Sequence, residues 1–212
     1  MKNLLKAIEN FKRWEKLEYN SLNIDERNGE WETYYDEWNT IYTLYAHVLE
    51  NCSAIYVDTH QLDEMIYIIA RDNECEWLIH KTVQYTDWFE TLCRHCIQTN
   101  EGDAKWQFAS QLPVCQCDRE TKNLILAFAG DKEEYVCRRA LLAMPAIRPD
   151  KVECYAELFW NRKLYGDELQ KYQKMAVLEA LKKINSPLLS QYLEMAKVEE
   201  EKITNGHSFG MG

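Results

Sequence analysis

Residues 102–144 read GDAKWQFASQLPVCQCDRETKNLILAFAGDKEEYVCRRALLAM. They hold one full period of a pattern and the start of the next. Gly102-Asp103 stands shortly before Trp106, which opens the apolar segment WQFASQL. A second apolar segment, ETKNLILAFA, follows, and then Gly130-Asp131 and Tyr135 begin again. Working outward, Trp77, Trp106 and Tyr135 are spaced by 29 and 29 residues, and Tyr172 follows 37 later. The segments they open are WLIHKTV, WQFASQL, YVCRRALLAM and YQKMAVLEAL. Gly166-Asp167 repeats the Gly-Asp pair ahead of the last one. A glycine can close one helix while the aspartate after it caps the next. Between these marks lie WFETLCRHCI, ETKNLILAFA, VECYAELFW and PLLSQYLEMA, so each period holds two apolar helices. A period of ~30–40 residues made of a helix pair is the signature of an α-solenoid. With 7 glycines and 4 prolines in 212 residues, the chain is too poor in turn formers for a β-sandwich or barrel.

The segments EEYVCRRALLAM and YQKMAVLEALKKINSPLLSQYLEMA, with Arg138-Arg139 inside the first and Ser186-Pro187 opening the last helix, make residues 103–196 resemble the HEAT-like repeats of small bacterial proteins. The resemblance implies an all-α, right-handed solenoid of about ten to eleven helices. It gives a single domain over 1–205, with atypical acidic helices over 1–73, four helix pairs over 74–202, and a flexible tail over 206–212. Such repeats are chiefly scaffolds for binding surfaces, so fold alone does not name the activity.

Ahead of the repeats, Trp31, Tyr34, Tyr35, Trp38, Ile41, Tyr42, Tyr45, Val48 and Leu49 fall on one apolar stripe, which predicts one continuous helix. Asp58 or Thr59 is placed to cap a helix through Ile69, Asp131-x-x-Glu134 has capping-box spacing, and Ser186 precedes a proline at the first helical position.

The formal net charge is −10. Residues 21–76 hold 2 basic side chains (Arg27, Arg71) against 13 acidic ones, while residues 107–212 balance 15 against 15. An acidic chain is a poor ligand for nucleic acid or an anionic membrane. No run of ~18 apolar residues suggests a membrane span. The charged N-terminus lacks a signal-peptide core, so a cytoplasmic protein with reduced thiols is expected.

Four cysteines, Cys93, Cys96, Cys115 and Cys117, form the sharpest metal candidate, set against the reading that they are buried thiols. No phosphate-cradling glycine loop, nucleophile elbow or calcium loop occurs, so no cofactor and no catalytic residue is expected. Alkylpurine DNA glycosylases built on HEAT repeats are the alternative class. Here the basic neighbourhood of Arg138, Arg139, Arg148, Lys151, Arg162 and Lys163 is offset by nearby acids, and Arg138 and Arg139 are expected to pair between repeats with Glu134 or Glu157.

The aromatic and acidic segment points elsewhere. Aromatic residues beside carboxylates are the composition of a docking site for a basic protein. The expected contact residues are Glu30, Glu32, Tyr35, Asp36, Glu37, Asp63 and Glu64. The expected function is a non-catalytic binding protein, in its most concrete form a bacterial immunity or antitoxin-type inhibitor of a basic toxin.

Overall fold

Spacing of apolar residues at helical period builds every element of the chain. The computed structural model describes residues 1–19 and 31–207, and these contain helices and no strand. The helices are α1 (Lys2–Leu17), α2 (Trp31–Tyr34), α3 (Trp38–Asn51), α4 (Thr59–Arg71), α5 (Trp77–Thr82), α6 (Thr86–Cys96), α7 (Gly102–Gln111), α8 (Arg119–Asn123), α9 (Ile125–Ala129), α10 (Glu134–Ile147), α11 (Pro149–Asn161), α12 (Asp167–Lys183) and α13 (Leu189–His207). With α8 and α9 taken as one helix interrupted at Leu124, and the single turn of α2 set aside, the described residues form eleven. None is long and apolar enough to cross a membrane.

The chain divides into two compact units, Met1–Ala143 and Met144–Gly212. In the first, α1 turns Leu4, Ile8 and Phe11 inward against α3 and α4. Helix α3 buries Trp38, Ile41, Tyr45, Val48 and Leu49 and packs on α5, and α4 packs on α6 and α7. Helix α7 is the central element: Ala104 to Ala109 are all buried, two polar side chains included. The Lys105 ammonium meets Asp131 Oδ2 at 2.8 Å, and Gln107 Nε2 donates to the Ile69 carbonyl at 2.9 Å. Those bonds make a fully enclosed polar helix tolerable, because a buried polar group without a partner is costly. In the second unit α12 packs on both α11 and α13, burying Ala176, Val177, Ala180 and Leu181.

Local capping follows the sequence closely. The Asp58 carboxylate accepts from the Gln61 N–H at 2.9 Å. Ser186 Oγ accepts from Leu188 N and donates to Glu153, but α13 begins at Leu189, so Pro187 lies in the turn ahead of the helix and not at its first position as expected. The expected capping box at Asp131 is only half formed: Asp131 accepts from Glu133 N, but Glu134 turns to Arg138 at 2.9 Å instead of reaching back.

Three expectations are corrected. The stripe from Trp31 to Leu49 is not one helix. It breaks at Tyr35–Glu37, where the Trp38 indole N–H donates to the Trp31 carbonyl at 3.1 Å and the flanking rings close around Phe11. Packing of those rings overrides local periodicity. The three Gly-Asp pairs do not share one role: Gly130 follows the end of α9, Gly102 is the first residue of α7, and Gly166 caps α12. Helix α5 begins at Trp77, three residues after position 74, where the first helix pair is expected to open. Its N-terminus is served by the buried Asp72, which accepts from Leu78 N–H and from the Tyr42 hydroxyl, while Glu76 ahead of it adopts a left-handed φ of 52°.

Candidate docking surface

Phe11, fully buried on α1, is the hub of the acidic N-terminal region. Its ring lies 5.0 Å from Tyr35, 5.1 Å from Trp38, 5.4 Å from Trp14 and 6.2 Å from Tyr67. The stack continues from Trp38 to Tyr42 at 5.5 Å and from Tyr42 to Trp77 at 4.7 Å. Edge-to-face and tilted contacts of this kind add to what area burial alone supplies. Most of the aromatic stripe is therefore structural.

A shell of charge surrounds the hub. Arg71 lies over the Tyr67 ring at 3.9 Å and is paired with Glu101, and Tyr67 donates to Glu15. Burial and that carboxylate hold the Tyr67 phenol neutral by pushing its pKa far up. Lys12 joins Glu64 at 2.5 Å, and its ammonium lies 4.3 Å over the other contact of Tyr67, the ring centre.

This wiring sorts the expected contact residues. Glu64 is engaged by Lys12, and Asp63 meets His95 Nε2 at 2.7 Å. Both carboxylates thus hold helices of their own chain together. Tyr35 is 9 % exposed and belongs to the ring cluster, and burial, then the nearby Glu37 carboxylate, raises its pKa. Asp36 and Glu37 differ: both are exposed on the turn between α2 and α3, and among the described residues their carboxylates make no hydrogen bond or ion pair. Glu30 lies outside the described residues. Glu32 falls in α2, and its side chain is likewise outside the description.

Asp36 and Glu37 border a surface groove of about 430 Å³. Tyr34 and Tyr35 line it on their side; Arg13, Trp14, Leu17 and Glu18 of α1 line the other. Leu17 is 65 % exposed, and Tyr34 40 %. The α1 side was missed from sequence, although Trp14, Leu17 and Glu18 stand at i, i+3 and i+4 and so share a helix face. A second groove of about 670 Å³ runs along Asn39, Thr43, Ala46 and His47 of α3, with Trp77 as its wall.

The cysteines turn inward. Cys93, Cys96, Cys115 and Cys117 are all buried, and Cys93 feels the other three. Burial pushes the Cys96 and Cys115 thiols up to about 12, away from the thiolate a metal would need. Among the described residues no group of three or more His, Cys, Asp or Glu is arranged to hold a metal ion. The basic residues are largely spoken for as well. Arg138 pairs with Glu134, one of its expected partners, one turn away on its own helix. Arg139 donates to Ser110 and lies 5.1 Å over Trp106, and Arg148 pairs with Asp150.

Comparison of the chain with protein-family models, with curated proteins and with solved structures finds no match.

Proposed function

We propose that this chain is a non-catalytic binding protein that holds a basic protein partner against the groove between α1 and the α2–α3 turn. The observation that carries the reading is the state of Asp36 and Glu37. They sit in the most acidic part of the chain, border a groove with exposed Tyr34 and Leu17, and make no hydrogen bond or ion pair among the described residues. Free carboxylates around an aromatic and aliphatic surface suit a basic partner: the charge steers encounter and the rings supply contact area. The finer reading of the scaffold is a HEAT-like stack of helix pairs. Its support is the packing of α7 on α4, α5 and α9, and the similar half-exposure of Trp77, Tyr135 and Tyr172 at the repeat marks. The most specific form of the function is an immunity or antitoxin-type protein that neutralises a basic toxin in the cytoplasm.

The test is the double reversal Asp36→Lys with Glu37→Lys. A basic partner recovered on the wild type from native cells should bind the variant at least ~10-fold more weakly, mostly through a slower association rate that loses its salt dependence. Unchanged binding by the folded variant would sink the reading.

A further inference from the structure

We infer that Cys115 and Cys117 are a modification site: a dithiol that a low-molecular-weight disulfide of the glutathione class converts to a Cys115–Cys117 disulfide. The pair lies on the segment joining α7 to α8 and lines neither groove. Along that segment Val114, Gln116 and Asp118 are exposed, while Cys115 and Cys117 are 2 % and 9 % exposed. The alternation turns both thiols to the inner side of an extended stretch. There they meet, the Cys115 thiol donating to Cys117 Sγ. The stretch is tied at both ends by bonds that do not involve sulfur. The Cys115 N–H donates to the Gln111 carbonyl at 3.1 Å, and the Asp118 N–H donates to Glu90 of α6 at 2.8 Å. The Asp118 carboxylate also takes Arg94 of α6 at 3.1 Å. Cys96 is placed elsewhere, beside Thr99 and Lys105. Cys93 of α6 is fully enclosed, so an oxidant in solvent meets the loop pair first.

Burial raises both thiols, Cys115 to about 12. At Cys117 the hydrogen bond from Cys115 and the Lys122 ammonium oppose that rise, so Cys117 ionises first. Its thiolate attacks one sulfur of the oxidant, forms a mixed disulfide and expels one glutathione thiolate. Cys115 then gives up its proton to solvent and attacks Cys117 Sγ, which expels the second glutathione thiolate. The two protein thiols lose two protons and two electrons, and the oxidant leaves as two thiols. Residues i and i+2 of an extended chain stand at most about 7 Å apart, at the edge of disulfide reach. The bond therefore forms with little movement of the loop, and the strain of so small a ring keeps it easily reduced.

The experiment uses the full chain carrying Cys75→Ser and Cys154→Ser, which removes the two exposed thiols as competing sites. The folded, reduced protein is incubated with glutathione disulfide, quenched in acid, unfolded, alkylated with iodoacetamide and digested with trypsin. Residues 106–119 form one tryptic peptide whose only cysteines are Cys115 and Cys117. That peptide should be recovered unalkylated and two hydrogens lighter than the dithiol, with Cys93 and Cys96 alkylated, and reduced glutathione should reverse the change. The rate should rise ~10-fold per pH unit from pH 7 to 9, since a thiol below its pKa gains thiolate in that proportion. With Cys115→Ser added, the peptide should stall as the glutathione mixed disulfide at Cys117. A peptide 106–119 that takes two alkyl groups after every incubation would overturn the inference. So would a mixed disulfide that never resolves in the presence of Cys115, or a cross-link to the peptide of residues 82–94, which carries Cys93.

Discussion

Helices α7 and α12 carry the same two-residue mark, Trp106-Gln107 in the first unit and Tyr172-Gln173 in the second, and their surroundings treat it in opposite ways. Trp106 is 5 % exposed; its indole N–H donates to Asp103, and its ring meets Tyr135 edge-on at 5.3 Å. Gln107 beside it closes the end of α4 by donating to Ile69, while its amide oxygen, also buried, has no hydrogen-bond partner among the described residues. Tyr172 is half-exposed, and it shares its face of α12 with the exposed Leu169 and Met175. Gln173 is fully buried, yet among the described residues neither its amide nitrogen nor its amide oxygen has a hydrogen-bond partner, and the buried indole nitrogen of Trp160 on α11 is in the same condition. A helical repeat thus sets which residue points inward. Whether that residue is satisfied depends on what the neighbouring helix brings to it.

The sharpest way to break this contrast is at the hub of the first unit. Phe11→Ala removes the ring on which five others, Trp14, Trp31, Tyr35, Trp38 and Tyr67, converge and should lower unfolding stability by about 3–5 kcal/mol in urea denaturation. Met175→Ala on the exposed face of α12 should stay within ~0.5 kcal/mol. Comparable losses at the two sites would erase the distinction.

Next in size is the buried Lys105–Asp131 pair. Lys105→Ala leaves the largely enclosed Asp131 carboxylate with backbone N–H partners alone and should cost about 2–3 kcal/mol. Burial by itself would raise the Asp131 carboxyl, but the Lys105 ammonium and the N–H groups of Glu133 and Lys132 outweigh it and hold the pKa below the usual value. A folded pKa below the unfolded one gives stability that is present above the unfolded value, near 4, and is lost as pH falls through the folded value. The wild type should therefore lose this increment on acidification below pH ~4, and Lys105→Ala should lack that part of the acid dependence. A stability–pH curve with the same acid limb in both proteins would count against the pairing.

The two glutamines give the smallest and most pointed pair. Gln107→Leu removes the bond to the Ile69 carbonyl together with one unpartnered amide oxygen and should destabilise by about 0.5–1 kcal/mol, whereas Gln173→Leu removes an amide orphaned at both atoms and should stabilise by about 1 kcal/mol. Opposite signs for the same chemical change, read by thermal unfolding, would confirm that the two environments differ. Equal signs would show that Gln173 has found a partner.

Much of the architecture was legible because it is local. Capping by Asp58 and Ser186, and the inward faces of α1, α4 and α6, follow from spacing within a few residues. The break at Tyr35–Glu37 was not legible, since the stripe continues through it and only Phe11 from another helix explains it. The contact residues divide along the same line. Asp36 and Glu37 remain available because no distant cation among the described residues reaches them. Asp63 is met by His95, 32 residues on, and Glu64 by Lys12, 52 residues back.

By itself, then, the sequence determined that the chain is helical, where most helices begin and end, and that its negative charge is gathered ahead of a neutral half. Those are properties of spacing and composition, and they act over one or two turns. The tertiary structure decided which of those charges are spent on the chain's own cations and which stay free. It also decided that Lys105 and Gln107 could lie inside, since an ion pair or a buried hydrogen bond exists only when its distant partner has been brought to it.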